Sequence, residues 1–170
     1  KHFPGYGGVT FNPEQDRLPR TPRIPEISYF QKAIEARPEF IMTSNVVYSE
    51  LDEGIPFTFS RKGIRLLKQK LRGDYLIISD DLTSMALIAD FAIAKSVLLA
   101  KNAGVDILLL CHEPAPQAQQ VAFHALVDAV KERSVNERNI DTSVRRILRL
   151  KQRLSSFYPE GSFRMFAMDN

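Results

Sequence analysis

Two short and almost uninterrupted apolar runs, residues 75–79 (YLIIS) and 105–111 (VDILLLC), constrain the fold of this chain most strongly. Neither run alternates between apolar and polar residues, which predicts strands that are buried on both faces. A stretch rich in alanine and leucine, residues 85–103, separates them and has the composition of a helix. Strands separated by helices are typical of a parallel sheet. We therefore expect an α/β fold, either a doubly wound sheet or part of a (β/α)₈ barrel.

The same alternation continues on both sides of this unit. Ser28, Ser60 and Asp141 are suited to cap helices, and Gly73 and Gly104 are suited to end them. Apolar residues recur at helical spacing in four further segments, and one further run is rich in β-formers. The predicted helices are 27–36, 60–71, 117–133 and 141–154, and the predicted strand is 40–47.

The first 25 residues are rich in proline and glycine, from Pro4 and Gly5 to Pro25. This composition predicts a long loop without regular structure. Loops of this length are often functional, although a frayed end is an equally good interpretation of the composition. Because the chain begins with Lys1 and not with methionine, we expect the protein to extend before it.

Composition narrows the classes of partner. The net charge is +3 over 170 residues, which is too small to predict binding to nucleic acid. No run approaches the ~20 consecutive apolar residues of a spanning helix, so no membrane insertion is predicted.

Cysteine and histidine limit the site chemistry. Cys111 is the single cysteine, which excludes an intramolecular disulfide and favours a reducing compartment. We therefore expect a cytoplasmic location, with the periplasm or export as alternatives. His2, His112 and His124 do not have the spacing of metal ligands, so no metal site is predicted.

The carboxyl ends of the predicted strands are where a site is expected in a parallel sheet or barrel. Asp80 and Asp81 directly follow the run at 75–79, where a charge is costly to bury unless it is paired or used. A carboxylate held there suits the nucleophile of a glycosidase. In the other interpretation, one aspartate caps the next helix and the other faces water; one aspartate can also cap while the other reacts.

Five segments in this order carry a family resemblance. Together they resemble the glycoside hydrolase family 3 enzymes of the β-N-acetylhexosaminidase type, whose hallmarks are a KHFPGHG loop followed by Asp-Ser-His and a strand that ends in Ser-Asp-Asp-Leu-x-Met. The segments are 1–7 (KHFPGYG), 41–52 (IMTSNVVYSELD), 78–85 (ISDDLTSM), 102–114 (NAGVDILLLCHEP) and 140–154 (IDTSVRRILRLKQRL).

The resemblance implies a fold and a domain organisation. The family domain is a (β/α)₈ barrel, and residues 1–154 match its C-terminal half, with residues 1–26 as the catalytic loop and residues 155–170 as a tail. The N-terminal half of the barrel is then expected from the same or another chain. A barrel of this kind needs ~250 residues.

The resemblance also implies roles for individual residues. Asp80 aligns with the nucleophile, which forms a covalent glycosyl-enzyme and gives net retention, and Asp81 with a supporting or capping residue. Lys1 and His2 align with residues that bind sugar hydroxyls. Met85 aligns with a methionine beside the sugar, although the spacing is one residue longer. The expected substrate is a terminal β-linked N-acetylhexosamine from peptidoglycan or chitin, and no cofactor is implied.

Four positions depart from the family pattern. Tyr6 and Asn45 stand where histidine is found in the family, Asn12 where the aspartate of the acid/base pair is found, and Glu14 where its histidine is found. One hypothesis makes Glu14 a conventional carboxylic acid/base. The alternative is a catalytically impaired sugar-binding relative, or a barrel half that acts as an interaction module. A β-glucosidase-type member is a further alternative, but its acid/base would come from a second domain.

Overall fold

The computed structural model describes residues 1–10, 17–111 and 115–155. Its elements alternate between short strands and helices, with two short 3₁₀ turns at Ile34–Ala36 and Phe57–Phe59. In chain order they are β1 (Arg20–Thr21), α1 (Ser28–Ala33), β2 (Phe40–Met42), β3 (Val47–Tyr48), α2 (Arg61–Lys70), β4 (Leu76–Asp81), α3 (Met85–Ile88), α4 (Ile93–Ala103), β5 (Ile107–Leu109), α5 (Ala115–Lys131) and α6 (Glu137–Ser155).

The central sheet is parallel, with the strand order β2-β4-β5. Ile41 pairs with Ile77 and Ile78 pairs with Ile107, and the register shifts once before Asp81 pairs with Leu109. Phe3 forms a further parallel bridge to Thr43 at the outer edge of β2. The strands β1 and β3 form a separate parallel pair. The predicted α/β class, with parallel strands alternating with helices, is confirmed.

The core lies between this sheet and the helices α2 and α4. Ile64 and Leu67 from α2, Ile77 from β4, and Val97 and Ala100 from α4 are all fully or almost fully buried. Apolar residues at helical spacing therefore form one buried stripe on each helix. These helices fix the direction of β4, and thereby the position of the residues at its carboxyl end.

The local signals at the ends of α2 and α4 are confirmed. The Ser60 side chain accepts a hydrogen bond from the Gly63 amide at 2.9 Å, which is an N-cap. Gly104 ends α4 in the left-handed region, with φ of 109°, where glycine carries no steric penalty.

The predicted helix over 85–103 is wrong in one respect, because the structure divides it into α3 and α4. The break lets Phe91 pack edge-on against Phe59, with 5.3 Å between the ring centroids. Ala92 is extended as a result, with φ of −60° and ψ of 144°. A contact with a residue distant in sequence thus outweighs a locally favourable helical pattern.

Two predicted helix caps are also wrong. Helix α6 begins at Glu137 and not at Asp141, because the Asn136 side chain accepts a hydrogen bond from the Arg138 amide at 3.0 Å. Helix α1 has Ile27 at its N-cap position, and the Ser28 side chain is not a cap.

The predicted strand over 40–47 divides in a similar way. Only Phe40–Met42 pairs with β4, and Val47–Tyr48 belongs to the pair with β1. The Ser44 amide, which lies between them, donates to the Phe3 carbonyl at 2.9 Å. The N-terminal loop is therefore not without regular structure, since it contributes Phe3 and β1.

Strand β5 differs from its sequence prediction in burial. Ile107–Leu109 is only half-buried, although its apolar run predicts two buried faces. Among the described residues, β4 is its one strand partner, so its other edge is open. An open, apolar edge strand of this kind is what a partial barrel presents.

A polar network fixes α6 across the amino ends of β4 and β5. The Asp106 carboxylate is almost fully buried, and it accepts hydrogen bonds from the Ile77 amide at 3.0 Å and from Ser143 at 2.8 Å. It also pairs with Arg146 at 2.6 Å. Lys101 donates to the Ser143 hydroxyl at 2.5 Å, and burial lowers the pKa of this lysine while the Asp106 charge raises it.

No helix in the described part of the chain is long and apolar enough to cross a membrane.

Candidate active site

The carboxyl ends of β2, β4 and β5 surround a pocket of about 280 Å³. The loop formed by residues 1–8 covers one side of it. Residues at this edge converge because the strands are parallel. The pocket is lined by Lys1, His2, Tyr6, Pro19, Met42, Asn45, Asp80, Asp81, Ser84, Leu109 and Cys111.

Asp80 is the buried carboxylate of this pocket, with 8% of the residue exposed. Its Oδ1 accepts a hydrogen bond from the Asp81 amide at 2.9 Å. Its Oδ2 accepts a hydrogen bond from the Tyr6 hydroxyl at 2.7 Å. The His2 Nε2 lies 3.8 Å from Oδ1. The two hydrogen bonds hold the carboxylate in one orientation with its oxygens as acceptors.

Asp81 also lines the pocket, and its side chain holds the backbone around it. Its Oδ1 accepts hydrogen bonds from the Thr83 amide at 2.9 Å, from the Thr83 hydroxyl at 2.6 Å, and from the Cys111 amide at 3.0 Å. The side chain therefore joins the turn after β4 to the end of β5. Burial and the nearby charges of Asp81 and Asp80 raise the pKa of the Cys111 thiol.

Phe3 anchors the loop that brings Lys1 and His2 to the pocket. Its amide donates to the Met42 carbonyl at 2.7 Å. Its fully buried ring packs edge-on against Phe30 and Phe57, with centroid distances of 5.1 Å and 5.5 Å. Two hydrogen bonds to the sheet edge and a core aromatic contact thus fix the residues before it.

The next turn of the loop aims Tyr6 at Asp80. Gly5 has φ of 120°, and its carbonyl accepts a hydrogen bond from the Tyr48 hydroxyl. A Cβ at Gly7 would lie 2.8 Å from Cβ of Pro25, so only glycine allows this close approach. Burial raises the pKa of Tyr48 to about 12, which keeps its hydroxyl a donor.

Comparison with known proteins agrees with this geometry. Residues 1–150 match the model of the glycosyl hydrolase family 3 N terminal domain. The chain belongs to glycoside hydrolase family 3. The resemblance found in the sequence is confirmed, and the fold is the expected part of a (β/α)₈ barrel.

Individual members of family 3 show the same likeness. The chain is 32% identical to a beta-hexosaminidase of Alkalilimnicola ehrlichii over 67% of its own length and 34% of that protein. It is 32% identical to an uncharacterized secreted glycosyl hydrolase of Arthroderma benhamiae over 92% of its length and 46% of that protein. A family 3 beta-N-acetylglucosaminidase from Paenibacillus sp. superposes with a TM-score of 0.83 and 31% identity, over 91% of this chain and 30% of that one.

These proteins are longer than the chain. The chain spans about a third of the length of the beta-hexosaminidase from Alkalilimnicola ehrlichii, at 34%. The structure therefore describes a part of the length of such a family 3 protein.

The site residues expected from the family pattern are placed as follows. Lys1, His2 and Asp80 line the same pocket. Met85 is the first residue of α3, is 54% exposed, and does not contribute to the pocket lining. Glu14 lies outside the described residues, as do Asn12 and the tail from 156 to 170.

Asn45, at which the resemblance leads one to expect a histidine, is buried and lines the pocket. Its Nδ2 donates to the Asp81 carbonyl at 2.9 Å, and its Oδ1 has no hydrogen-bond partner in the structure. The Asp81 carbonyl fixes which way the Asn45 side-chain amide is turned, because the Asn45 Oδ1 would be repelled if it faced this carbonyl oxygen. Asn45 therefore holds the backbone next to Asp80.

Several pocket residues were not predicted individually. Met42 and Leu109 are the last residues of β2 and β5, where the rule that sites occupy the carboxyl ends of strands could have found them. Pro19 has no such signal, because it precedes β1, which the sequence does not predict. The described residues contain no group of three or more histidine, cysteine or acidic side chains placed to hold a metal.

Proposed function

We propose that this chain carries the nucleophile of a retaining glycoside hydrolase that removes terminal β-linked N-acetylhexosamine. The observation that carries the proposal is the orientation of Asp80, whose two carboxylate oxygens each accept a hydrogen bond inside the pocket. The names of the relatives, beta-hexosaminidase and beta-N-acetylglucosaminidase, support the substrate class.

The reaction would take place in two steps. In the first, an Asp80 oxygen bonds to the anomeric carbon while the glycosidic bond breaks, and the leaving oxygen takes a proton from a general acid. In the second, water attacks the same carbon and gives its proton to the resulting base, and the Asp80 carboxylate is released. Two inversions give net retention. Lys1 and His2 would hydrogen-bond the sugar hydroxyls from the rim.

Proton NMR of the first product formed tests this reaction. The intact protein is incubated with 4-nitrophenyl N-acetyl-β-D-glucosaminide, and the anomeric signal is followed before mutarotation. The proposal predicts the β-anomer as the initial product. An initial α-anomer would show inversion and remove the need for a covalent intermediate on Asp80.

We also propose Glu14 as the acid/base. A carboxyl group is the usual proton donor and acceptor of glycosidases, and in retaining enzymes it lies about 5–5.5 Å from the nucleophile. The acid step requires the pKa of such a group to be raised, which desolvation by a bound sugar would do.

Replacing Glu14 with glutamine is expected to lower kcat/KM about 10²–10⁴-fold on N,N′-diacetylchitobiose, whose leaving group needs a proton. The loss should be much smaller on a 2,4-dinitrophenyl glycoside, whose leaving group does not. Asp16→Asn makes the same chemical change two positions along the chain and serves as the control. Equal rates for Glu14→Gln and wild type on N,N′-diacetylchitobiose would remove Glu14 from the mechanism.

A second candidate function is sugar binding without efficient turnover. The observation that favours it is the replacement of the family aspartate and histidine by Asn12 and Glu14. Calorimetry with N-acetylglucosamine separates the two functions, because binding without any hydrolysis of the activated glycoside supports only the second.

We further propose that the site is completed by the other half of the barrel, from the same polypeptide or from another chain. The half-buried strand β5, whose outer edge pairs with no strand among the described residues, supports this proposal. The mass of the active species by light scattering distinguishes one complete chain from an assembly of two halves.

A further inference from the structure

We propose that Tyr6 is the positioning residue for the nucleophile, and that it acts chiefly when the covalent intermediate is broken down. This inference rests on the proposed function of Asp80. Its starting observation is the 2.7 Å hydrogen bond from the Tyr6 hydroxyl to Asp80 Oδ2, which joins residues 74 positions apart in the chain.

The two oxygens of Asp80 are held by different kinds of donor. Oδ1 receives the Asp81 amide, which belongs to the backbone of β4 and is fixed by the sheet. Oδ2 accepts a hydrogen bond from the Tyr6 phenol, which lies at the end of a side chain from the N-terminal loop. We therefore assign Oδ2 as the oxygen that bonds to the anomeric carbon, and Oδ1 as the carbonyl oxygen of the ester.

With this assignment, the Tyr6 hydrogen bond contributes differently to the two steps of the reaction. During attack, Oδ2 shares an electron pair with the anomeric carbon and loses negative charge, so the phenol hydrogen bond weakens. During hydrolysis of the ester, water adds to that carbon and the C–Oδ2 bond breaks with both electrons going to Oδ2. The charge then reappears next to the Tyr6 hydroxyl, and a hydrogen bond to a charged acceptor is stronger than one to a neutral acceptor.

Tyr6 is fixed for this role before substrate binds. Its ring lies edge-on to His2, with centroids 5.1 Å apart at 64°. Its carbonyl accepts the Val9 amide at 3.0 Å, which closes the turn of the loop. Gly5, just before it, is tied to the buried Tyr48 hydroxyl. A donor held by its surroundings needs no reorganisation at the moment when charge develops.

A bulky aromatic residue that only packs against the core would not need its hydroxyl group. Removing the hydroxyl therefore separates the two interpretations. We expect Tyr6→Phe to lower kcat about 10- to 100-fold on 2,4-dinitrophenyl N-acetyl-β-D-glucosaminide, on which breakdown of the intermediate limits the rate. Because the intermediate then accumulates, KM should fall by a similar factor, and kcat/KM should change by less than about threefold.

The control variant is Tyr29→Phe, which removes a hydroxyl from a tyrosine that is 78% exposed and does not line the pocket. It is expected to leave kcat and KM unchanged. Tyr6→His keeps a ring N–H donor and is expected to restore part of kcat. Stopped-flow measurement should show a release of one equivalent of dinitrophenol in Tyr6→Phe before the slow steady state.

The outcomes are distinguishable from a failure of the proposed function. If wild type hydrolyses the substrate with retention but Tyr6→Phe behaves like Tyr29→Phe, only the role of Tyr6 is overturned. A lower kcat with an unchanged or higher KM would indicate a loosened pocket and would also overturn it. If Tyr6→Phe does not fold by circular dichroism, Tyr6→Leu, which also removes the hydroxyl, decides by the same criterion. A glycosyl label on Tyr6 itself would make it the nucleophile and overturn the positioning role.

Discussion

Replacing Asp80 with alanine in the intact protein is expected to lower kcat by about 10⁴-fold or more on 4-nitrophenyl N-acetyl-β-D-glucosaminide. Losses of this size accompany removal of the nucleophile in enzymes that form a covalent intermediate. Asp80 has the position that this role requires, since it lies at the carboxyl end of the buried strand β4 and lines the pocket. The fold should survive, because the hydrogen bonds described for this carboxylate come from a loop side chain and from the amide of its own neighbour.

Azide distinguishes loss of the nucleophile from a general disturbance of the site. In Asp80→Ala, a small anion can enter the vacated space and attack the anomeric carbon of an activated glycoside in a single inversion. We therefore expect sodium azide to restore turnover and to give the α-glycosyl azide. The control is Asp90→Ala, because Asp90 is an exposed aspartate in the turn after α3. It should keep wild-type kcat and show no response to azide.

Two results would contradict the role of Asp80 as the nucleophile. If Asp80→Ala keeps more than about a tenth of the wild-type kcat, Asp80 does not form the covalent bond. If the variant is folded, unresponsive to azide and no longer binds N-acetylglucosamine, the loss of activity acts through binding, and a sugar-binding role of Asp80 is favoured over that of the nucleophile.

Replacing Asp106 with alanine is expected to lower the free energy of unfolding by about 3–5 kcal/mol. The Asp106 carboxylate is almost fully buried and is shared by Arg146, Ser143 and the Ile77 amide. Its removal leaves the Arg146 charge without its partner and Lys101 with a buried charge no longer compensated by Asp106. Such a loss costs far more than the net value of the ion pair itself.

Asp128→Ala is the matched control for this change. Asp128 pairs with Lys131 at 3.1 Å on the exposed side of α5, and an exposed pair of this kind contributes about 0–1 kcal/mol. Urea unfolding followed by circular dichroism compares the two variants. Similar midpoints for Asp106→Ala and Asp128→Ala would show that the buried network does not hold α6 to the sheet.

Asp106→Ala and Asp80→Ala should also differ in their effects on catalysis. Asp106 directly precedes β5 and therefore lies at the amino ends of the strands, whereas Asp80 lies at their carboxyl ends. Asp106→Ala is therefore expected to keep most of the wild-type kcat per folded molecule at temperatures well below its unfolding midpoint. Asp80→Ala should show the reverse, with a large loss of kcat and a small change in stability.

The parts of the fold that depend on local sequence patterns could be predicted from the sequence. The run at 75–79 becomes β4 (Leu76–Asp81), and Ser60 caps α2 as its spacing indicates. The paired aspartates also follow from a local rule, because charge directly after a buried strand needs a partner or a use. One of them, Asp81, does hold the next turn.

Contacts between distant segments account for what the sequence does not predict. Strand β1 contains two residues and exists through its pairing with β3. The break between α3 and α4 depends on Phe91 reaching Phe59. No periodicity within a single segment carries information of this kind.

Tyr6 illustrates the same limit within the site. The sequence identifies it only as a departure from the family pattern, in a loop whose composition indicates no regular structure. Its contact with Asp80 arises because the loop is bound to the sheet edge at Phe3 and to Tyr48 at Gly5. Three separate segments of the chain must be placed before that hydrogen bond can be seen.

Trapping of the intermediate tests the central claim most directly. The intact protein is incubated with 2-acetamido-2-deoxy-5-fluoro-β-D-glucosyl fluoride, digested, and examined by peptide mass spectrometry. We expect one glycosyl group on the peptide that contains Asp80, located at Asp80 by fragmentation, and no label in Asp80→Ala. A label on any other residue would contradict a covalent intermediate on Asp80. So would a wild-type protein that turns over substrate, is not slowed by the reagent and carries no label.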